Sequence, residues 1–393
     1  MSEKRKYTRH PYITVFQEQQ GFKDTYGGEA GFVVLESQLI RPKDRPSKTV
    51  VVFSHPIGGG AFLPICGALA EAGLHVAYCN TRFRGNDTAL TMEKCVLDLG
   101  AAIKDLKTRF GYERVILGGW SGGGSLSLYY QEQAEKPSVT ATPAGDPPDL
   151  TQAGLEPADG IMLLAAHVSR AITLTEWMDA SILDEADPSK RDPELDLYNP
   201  ANPNQPPYSE EFQAAYAEAQ IARNRRITQF AKDKLADLRA QGLDNEEFGF
   251  VVHGTMAAPL WLDPAIDPND RKAPGWCYLG DPKVVNNSPV GLARFTTLRS
   301  WLSQWSYDET NATGAGNAAN ISCPVLTIQN SADDACTPSH ARRLFEAIPH
   351  DDKEFYEVKG ATHYYALQPD KVEEAVGVCV DWLHRKGFET ITG

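Results

Sequence analysis

Short apolar runs and amphipathic segments alternate along much of this 393-residue chain. The runs have the length of buried strands, and the segments between them carry apolar residues at helical spacing. Strands are predicted over 12–18 and 31–39, as an N-terminal hairpin, and over 49–53, 74–79, 115–117, 161–165, 325–328 and 354–358; helices are predicted over 62–72, 92–110, 125–133, 339–348 and 371–386. Strands that alternate with helices build a parallel sheet with helices on both faces, so the sequence predicts an α/β fold.

One long segment departs from this alternation. From 167 to 320 the proline-rich stretch NPANPNQPPY leads into a long helix, with Ser209 as its predicted N-cap and Gly242 beyond its end. A regular α/β unit has no place for such a segment between two strands. The sequence therefore predicts a core domain formed by residues 1–166 and 321–393, interrupted by a large, mainly helical cap or lid over 167–320.

The most informative motif follows the strand predicted over 115–117. It reads GGWSGGG and places one serine, Ser121, among five glycines where a strand turns at once into a helix. Such a turn is strained, and its neighbours must lack side chains so that the helix and the adjacent strand can approach. The G-x-S-x-G pattern indicates a nucleophile elbow that exposes the Ser121 hydroxyl above the sheet, although a glycine-rich turn also suits phosphate binding.

A serine nucleophile needs a base, and the base needs a carboxylate that fixes its tautomer. His363, in the stretch KGATH, follows the last predicted strand, which is where such a base must lie. The stretch NSADD follows the strand before it and offers two neighbouring carboxylates, Asp333 and Asp334. The chain order Ser, Asp, His is that of one class of catalytic triads, and the sequence pattern leaves both carboxylates open as its acid.

Backbone N–H groups are the candidates for an oxyanion hole. The N–H of Gly122 lies at the predicted start of the helix after the serine, where it can bind a developing negative charge. The second donor should come from HPIGGG, the stretch after the third strand. Pro56 has no N–H, so Ile57 is the predicted donor and Gly58 the second choice. His55 of the same stretch is interpreted as a structural histidine that hydrogen-bonds the loop.

Taken together, these motifs resemble the α/β-hydrolase fold superfamily. The matching stretches are HPIGGG, RFRG after the fourth strand, GWSGG, ADD and GATH, and they cover residues 49–130 and 320–390. The resemblance implies an α/β-hydrolase fold with a mostly parallel central sheet flanked by helices. It also implies a catalytic triad in which Ser121 is the nucleophile, His363 the general base and then acid, and Asp333 the orienting carboxylate.

The resemblance also bears on details of the two loops. It favours Asp333 over Asp334, because Asp333 lies three residues past Asn330 as the family's acid lies three residues past a glycine. Asn330 itself departs from the family, which often has that glycine, and Pro56 replaces the usual glycine after the histidine. These departures leave the oxyanion donor open.

Composition and spacing exclude several other functions. The chain has 38 Lys and Arg against 52 Asp and Glu, a formal charge of −14, which would repel nucleic acids and acidic membrane surfaces. It contains no P-loop, complete dinucleotide fingerprint, HExxH or paired Cys/His spacing, so neither a cofactor nor a metal is predicted. Seven scattered cysteines without a C-x-x-C pair, and a start without a signal-peptide-like apolar run, predict a cytoplasmic protein with reduced thiols.

The sequence thus predicts a serine hydrolase that cleaves a carboxylic ester or lactone through an acyl-enzyme. The size of the 167–320 segment and its tryptophans favour a cap over an apolar pocket, and hence an apolar or cyclic small-molecule substrate. A thioesterase, an amidase or a carbon–carbon bond hydrolase with the same triad remains an alternative, as does a non-catalytic binding protein of the same fold. A further alternative is that the segment forms the interface of a homo-oligomer.

Overall fold

The computed structural model describes residues 6–18, 31–272, 274–288 and 295–388. The strands in these residues are β1 Tyr7–Gln17, β2 Phe32–Pro42, β3 Thr49–His55, β4 Val76–Asn80, β5 Arg114–Trp120, β6 Gly160–Leu164, β7 Gly249–Val251, β8 Phe295–Thr297, β9 Val325–Asn330 and β10 Lys353–Val358. The α-helices are α1 Pro64–Glu71, α2 Met92–Thr108, α3 Gly122–Glu135, α4 Arg170–Trp177, α5 Glu210–Ala240, α6 Pro282–Asn287, α7 Leu298–Ser300, α8 Ala315–Ala318, α9 Pro338–Ala347 and α10 Pro369–Arg385. Turns of 3₁₀-helix cover Leu150–Gln152 and Pro259–Trp261, and a π-helix covers Trp301–Trp305.

Eight strands form one sheet in the order β1-β2-β4-β3-β5-β6-β9-β10. The six strands from β4 to β10 in this order are parallel, whereas β2 pairs antiparallel with both β1 and β4. The chain passes from β3 to β4 on one side and then returns to β5 on the other. This reversal opens a crevice at the carboxyl ends of β3 and β5, where open parallel sheets bind their ligands. The predicted mostly parallel sheet is confirmed.

Successive residues of the central strands face opposite sides of the sheet, and both sides are covered by helices. One hydrophobic cluster packs against α2, α3 and α9 and includes the strand residues Val50, Val52, Val115, Leu117, Ile161 and Leu163. The other packs against α1 and α10 and includes Val51, Phe53, Ile116, Met162 and Leu164. Because both faces are buried, the strands read as continuous apolar runs rather than as alternating ones.

Most predicted elements agree with the structure within a few residues. The helix predicted over 62–72 begins at Pro64, because proline at the first helical position loses no hydrogen bond. The helix predicted to begin at 125 instead begins at Gly122, directly after Ser121. The strand before it is correspondingly longer and ends at Trp120. The turn at Ser121 is therefore tighter than the hydrophobic pattern alone predicted.

The regular structure between β6 and β9 is mainly helical, and most of a third hydrophobic cluster lies in this segment. Its longest element is α5, and the side chain of Ser209 caps this helix by accepting a hydrogen bond from the N–H of Phe212. The cluster contains the buried side chains of Trp261, Trp301 and Trp305, and it extends to Ala335 and Cys336 after β9. The segment therefore packs against the loop after β9, here called the acid loop, which carries Asp333 and Asp334. Its assignment as a cap with boundaries at 167 and 320 remains a prediction.

Within the described ranges, no helix combines the length and apolarity that crossing a bilayer requires.

The cysteines are buried and unpaired. Burial raises the pKa of every one of these thiols: Cys66, Cys79, Cys95, Cys277, Cys323, Cys336 and Cys379.

Candidate active site

Ser121 occupies the strained turn that the glycines predicted. Its backbone has φ 50° and ψ −123°, a conformation that costs a residue with a side chain on the order of 1–3 kcal/mol. Close packing around the turn holds it in place. A Cβ on Gly123 would lie 2.2 Å from the carbonyl oxygen of Ser54, and one on Gly124 would lie 2.4 Å from Cβ of Ala166. Only glycine fits at either position, so the neighbouring strands fix the serine at the crevice.

Asp333 and His363 lie side by side at the ends of β9 and β10. Nδ1 of His363 donates a hydrogen bond of 2.7 Å to Oδ2 of Asp333, and both side chains are buried. The other carboxylate oxygen, Oδ1, accepts the N–H groups of Ala335 at 2.8 Å and Cys336 at 2.7 Å. The carboxylate is thus held from both sides, and a ring that donates through Nδ1 leaves Nε2 as its free, basic nitrogen.

Asp334, the alternative acid, faces a different environment. Its backbone carbonyl accepts a hydrogen bond of 2.7 Å from Nε1 of Trp261, in the segment between β6 and β9. Burial, followed by the negative charge of Asp333, raises the pKa of its carboxyl to about 6. Its carboxylate makes no hydrogen bond to His363 in the part of the chain that the structure describes. The geometry therefore favours Asp333 as the partner of the imidazole.

The pKa of His363 reflects a competition between burial and charge. Burial lowers it, because a buried imidazolium loses its hydration. The charge of Asp333, the hydrogen bond to it and the charge of Asp334 act in the opposite direction and outweigh burial. The pKa of His363 consequently lies above its ordinary value, so the ring is a stronger base than an isolated histidine.

The Ser121 hydroxyl contacts a thiol that the sequence analysis did not single out. Sγ of Cys336 lies 3.9 Å from Oγ of Ser121. Among the described residues no hydrogen bond joins Ser121 to His363; bonds of this kind often form only when substrate is bound. Cys336 follows Asp333 by three residues, and nothing in a lone cysteine at that spacing marked it as part of the site.

The same thiol completes a set of possible metal ligands. A carboxylate oxygen of Asp333, Sγ of Cys336 and a ring nitrogen of His363 all lie within 4.8 Å of one another. Zinc accepts ligands of these three kinds. Two of the groups are already joined by the Asp333–His363 hydrogen bond, however, and this bond is what the base of a serine nucleophile needs.

Ser121 opens into a cavity of about 200 Å³. The wall is formed mainly by the HPIGGG loop, the elbow and the loop after β10, and it includes His55, Ile57, Leu63, Trp120 and Tyr364. A larger cavity of about 570 Å³ lies on the other side of the HPIGGG loop and contains Glu36 and Arg84 but not the serine. The smaller cavity is therefore the candidate substrate site.

Aromatic rings enclose His363. The ring centroids of Trp120, Tyr278 and Tyr364 lie 5.6, 6.1 and 4.7 Å from that of His363. Tyr278 belongs to the segment between β6 and β9, and its ring also packs against Trp177 of the same segment at 5.4 Å. The long segment thus reaches the imidazole, and the surrounding rings limit the access of water to it.

The predicted oxyanion donors differ in their availability. The N–H of Gly122 lies at the amino-terminal end of α3, in the position that favours an anion. The N–H of Ile57 donates to Nδ1 of His55 at 3.3 Å, and that of Gly58 donates to the carbonyl of His55 at 2.8 Å. The N–H of Ile57 is therefore engaged within its own loop, and His55 hydrogen-bonds the loop as the sequence interpretation had it.

Comparison with known proteins identifies the fold. No family model and no curated protein sequence matches the chain. The solved structures it resembles include the α/β hydrolase GrgF from Penicillium sp. sh18, with 14% identity, a TM-score of 0.50, and coverage of 96% of this chain and 98% of that one. The esterase domain of a Rhodothermus marinus protein has 14% identity and a TM-score of 0.46, covering 95% of this chain and 98% of that one. With its sheet order and its elbow, the chain has the α/β-hydrolase fold.

Proposed function

We propose that this protein is a serine hydrolase that cleaves carboxylic esters or lactones through an acyl-enzyme. The observation that carries the proposal is the 2.7 Å hydrogen bond between His363 and Asp333, at the mouth of a crevice that also presents a strained serine. A buried carboxylate that orients an imidazole, together with a serine at a strained turn in the same crevice, provides the groups that nucleophilic acyl transfer requires. A binding protein would have no need of it.

In the proposed reaction Ser121 Oγ attacks the substrate carbonyl while Nε2 of His363 takes the hydroxyl proton. The N–H of Gly122 stabilises the oxyanion, and the imidazolium, stabilised by Asp333, then protonates the leaving alcohol. Water activated by the same imidazole releases the acid. Each step uses only the serine, the imidazole with its carboxylate, a backbone N–H and water. The proposed chemistry therefore needs no cofactor.

The size and wall of the cavity support a compact, apolar acyl group or a small lactone ring. Its volume of about 200 Å³ is below the ~300–1,000 Å³ of pockets for drug-sized ligands. Ile57, Leu63 and Trp120 make much of the wall apolar. The segment over 167–320 is proposed to act as a cap, and the contact of Tyr278 with His363 supports this role.

Labelling with a fluorophosphonate tests the proposal directly. We expect the label on Ser121, and Ser121→Ala should lose both the label and on the order of 10⁴-fold or more in kcat while it keeps its melting temperature. Ser125, which lies four residues further along the chain and is buried within α3, provides the control Ser125→Ala. Labelling of another residue, or more than a tenth of the activity in Ser121→Ala, would reject the mechanism.

A substrate panel separates the alternative hydrolases. Esters and lactones should exceed matched thioesters, anilides and carbon–carbon substrates in kcat/KM. Among p-nitrophenyl esters we expect the highest kcat/KM with acyl groups from acetate to butanoate and a decline towards octanoate, because the cavity is small. A steady rise to octanoate would mean that the 167–320 segment opens a larger pocket. The mass of the protein in solution would show whether this segment joins subunits instead.

A further inference from the structure

Three backbone N–H groups of the HPIGGG loop make hydrogen bonds within the protein. After Pro56, which has none, the N–H groups of Ile57 and Gly58 bond to His55, and that of Gly59 donates to Oδ1 of Asn80 at 2.8 Å. An oxyanion hole needs at least one donor besides the helix N-terminus, because a single hydrogen bond leaves much of the developing charge unpaired. Besides its backbone groups, the loop offers one further candidate at the cavity, the side chain of His55.

The hydrogen bond from Ile57 fixes the tautomer of His55. Nδ1 of the ring accepts the N–H of Ile57, so Nδ1 carries no proton. Burial, followed by the nearby cation of Arg170 and by His363, lowers the pKa of His55 to about 3. The ring is thus neutral at ordinary pH, and a neutral imidazole without a proton on Nδ1 carries it on Nε2. His55 is a hydrogen-bond donor through that atom.

The donor atom faces the elbow. A Cβ built on Gly122 would lie 2.7 Å from Nε2 of His55, so this nitrogen sits against the residue whose N–H is the other predicted donor. His55 also lines the cavity into which Ser121 opens. Nε2 of His167 is a second neighbour of Gly122, at 2.9 Å from the same position, but His167 is not among the residues that line this cavity.

We propose that Nε2–H of His55 is the second oxyanion donor of this site and stabilises the negative charge together with the N–H of Gly122. This inference rests on the proposed function, since it concerns the same acyl transfer. It assigns His55 a catalytic role in addition to its hydrogen bond with the loop. It also gives a physical reason for the glycine at 122, because a Cβ there would lie 2.7 Å from Nε2 of His55 and would displace the ring.

His55→Phe and His55→Gln test the assignment together. Phenylalanine keeps a ring of similar size without a donor, so kcat should fall ~10²–10³-fold while KM changes by less than about threefold. A trifluoromethyl ketone that carries the acyl group of the best ester substrate forms a stable oxyanion on the serine. The affinity of His55→Phe for this ketone should fall by a similar factor. Glutamine restores a side-chain N–H and should recover at least about tenfold of both losses.

His167→Phe is the matched control, since its ring meets the same glycine. It should keep kcat and ketone affinity within about threefold of wild type. The proposal is overturned if His55→Phe keeps its kcat, if it loses kcat without losing ketone affinity, or if His167→Phe loses as much of both. If His55→Phe fails to fold, the test rests on His55→Gln. A folded His55→Gln in which both kcat and ketone affinity are at or below about 0.1% of wild type overturns the proposal equally.

Fluorophosphonate labelling of the same proteins keeps the two proposals apart. If wild type is neither labelled at Ser121 nor active on esters, the proposed function fails and the role of His55 falls with it. If wild type is labelled and active while His55→Phe equals it in kcat and ketone affinity, only the donor assignment fails.

Discussion

Two of the imidazoles near Ser121, those of His363 and His55, have surroundings that move their pKa values in opposite directions. Burial lowers the pKa of both rings. At His363 the charge and hydrogen bond of Asp333 outweigh burial, and the pKa rises above its ordinary value. At His55 no carboxylate among the residues that the structure describes opposes burial, and the cation of Arg170 adds to it, so the pKa falls to about 3.

The difference teaches how one residue type can take two roles in one site. A carboxylate partner makes the imidazole a base that can hold a proton during the reaction. A backbone N–H partner, in a buried place, makes the imidazole a permanently neutral donor instead. Each role depends on what the Nδ1 atom contacts, and each can be tested by changing that contact or the space around the ring.

Removing the charge of Asp333 should have the largest effect. Asp333→Asn should lower kcat by ~10⁴-fold, because an amide that donates to Nδ1 favours the wrong tautomer of His363. Asp334→Asn should lose less than about tenfold, because the hydrogen bond to Nδ1 of His363 is made by Asp333. Steady-state kinetics of the two folded variants make the comparison, and equal or reversed losses would show that the acid has been assigned wrongly.

Filling the space at Gly122 should disturb the donor side next. The added Cβ of Gly122→Ala would lie 2.7 Å from Nε2 of His55, so the ring must move, and displacement of a reacting group by about 1 Å costs ~10²-fold in rate. We expect that loss in kcat. Gly377→Ala in α10, where a Cβ meets nothing within 4 Å, is the control and should keep full activity. Unchanged kcat in Gly122→Ala would contradict this packing.

The pH dependence distinguishes the two rings by sign. His363 must be neutral to act as a base, so kcat/KM should fall about tenfold per pH unit below its raised pKa, with the limb above the ordinary histidine value. His55, with a pKa of about 3, stays neutral and adds no limb from pH 5 to 9. Because the charge of Asp334 also raises the His363 pKa, Asp334→Asn should move the limb to lower pH. A flat wild-type profile would count against His363.

Cys336 should show the smallest effect. Its thiol touches the Ser121 hydroxyl, but burial raises its pKa, so it is neutral and at most a weak hydrogen-bond partner. Cys336→Ala should change kcat/KM by less than about threefold in an ester assay. A loss as large as that of Asp333→Asn would mean that the thiol takes part in the chemistry.

The sequence was most informative where local chemistry decides the structure. Apolar runs bounded by glycines predicted the parallel sheet, because strands buried on both faces leave a continuous apolar signal. The glycines around Ser121 predicted a strained turn, since only they allow the contacts with Ser54 and Ala166. The positions of Asp333 and His363 followed from the strands before them, and the structure brings these two side chains together.

Other features depend on contacts between distant parts of the chain. The sequence favoured the N–H of Ile57 as a donor but could not reveal that it bonds to His55, because that depends on the turn the loop adopts. Cys336 and Tyr278 carry no motif, and they reach the site only through the packing of the acid loop and of the long insertion. Sequence patterns at 167–320 predicted a long helix without showing what it covers.

The buried thiols make the native chain a convenient background for site-specific fluorescence. Since all seven cysteines are shielded and their thiols resist ionisation, maleimide dyes should react far faster with a cysteine introduced on the surface. Exposed Asp237 on α5 and Glu373 on α10 lie on the insertion and on the sheet-covering layer, respectively. A dye pair on Asp237→Cys and Glu373→Cys could therefore report energy transfer between the two while an inhibitor binds, without replacing a single native residue of the core.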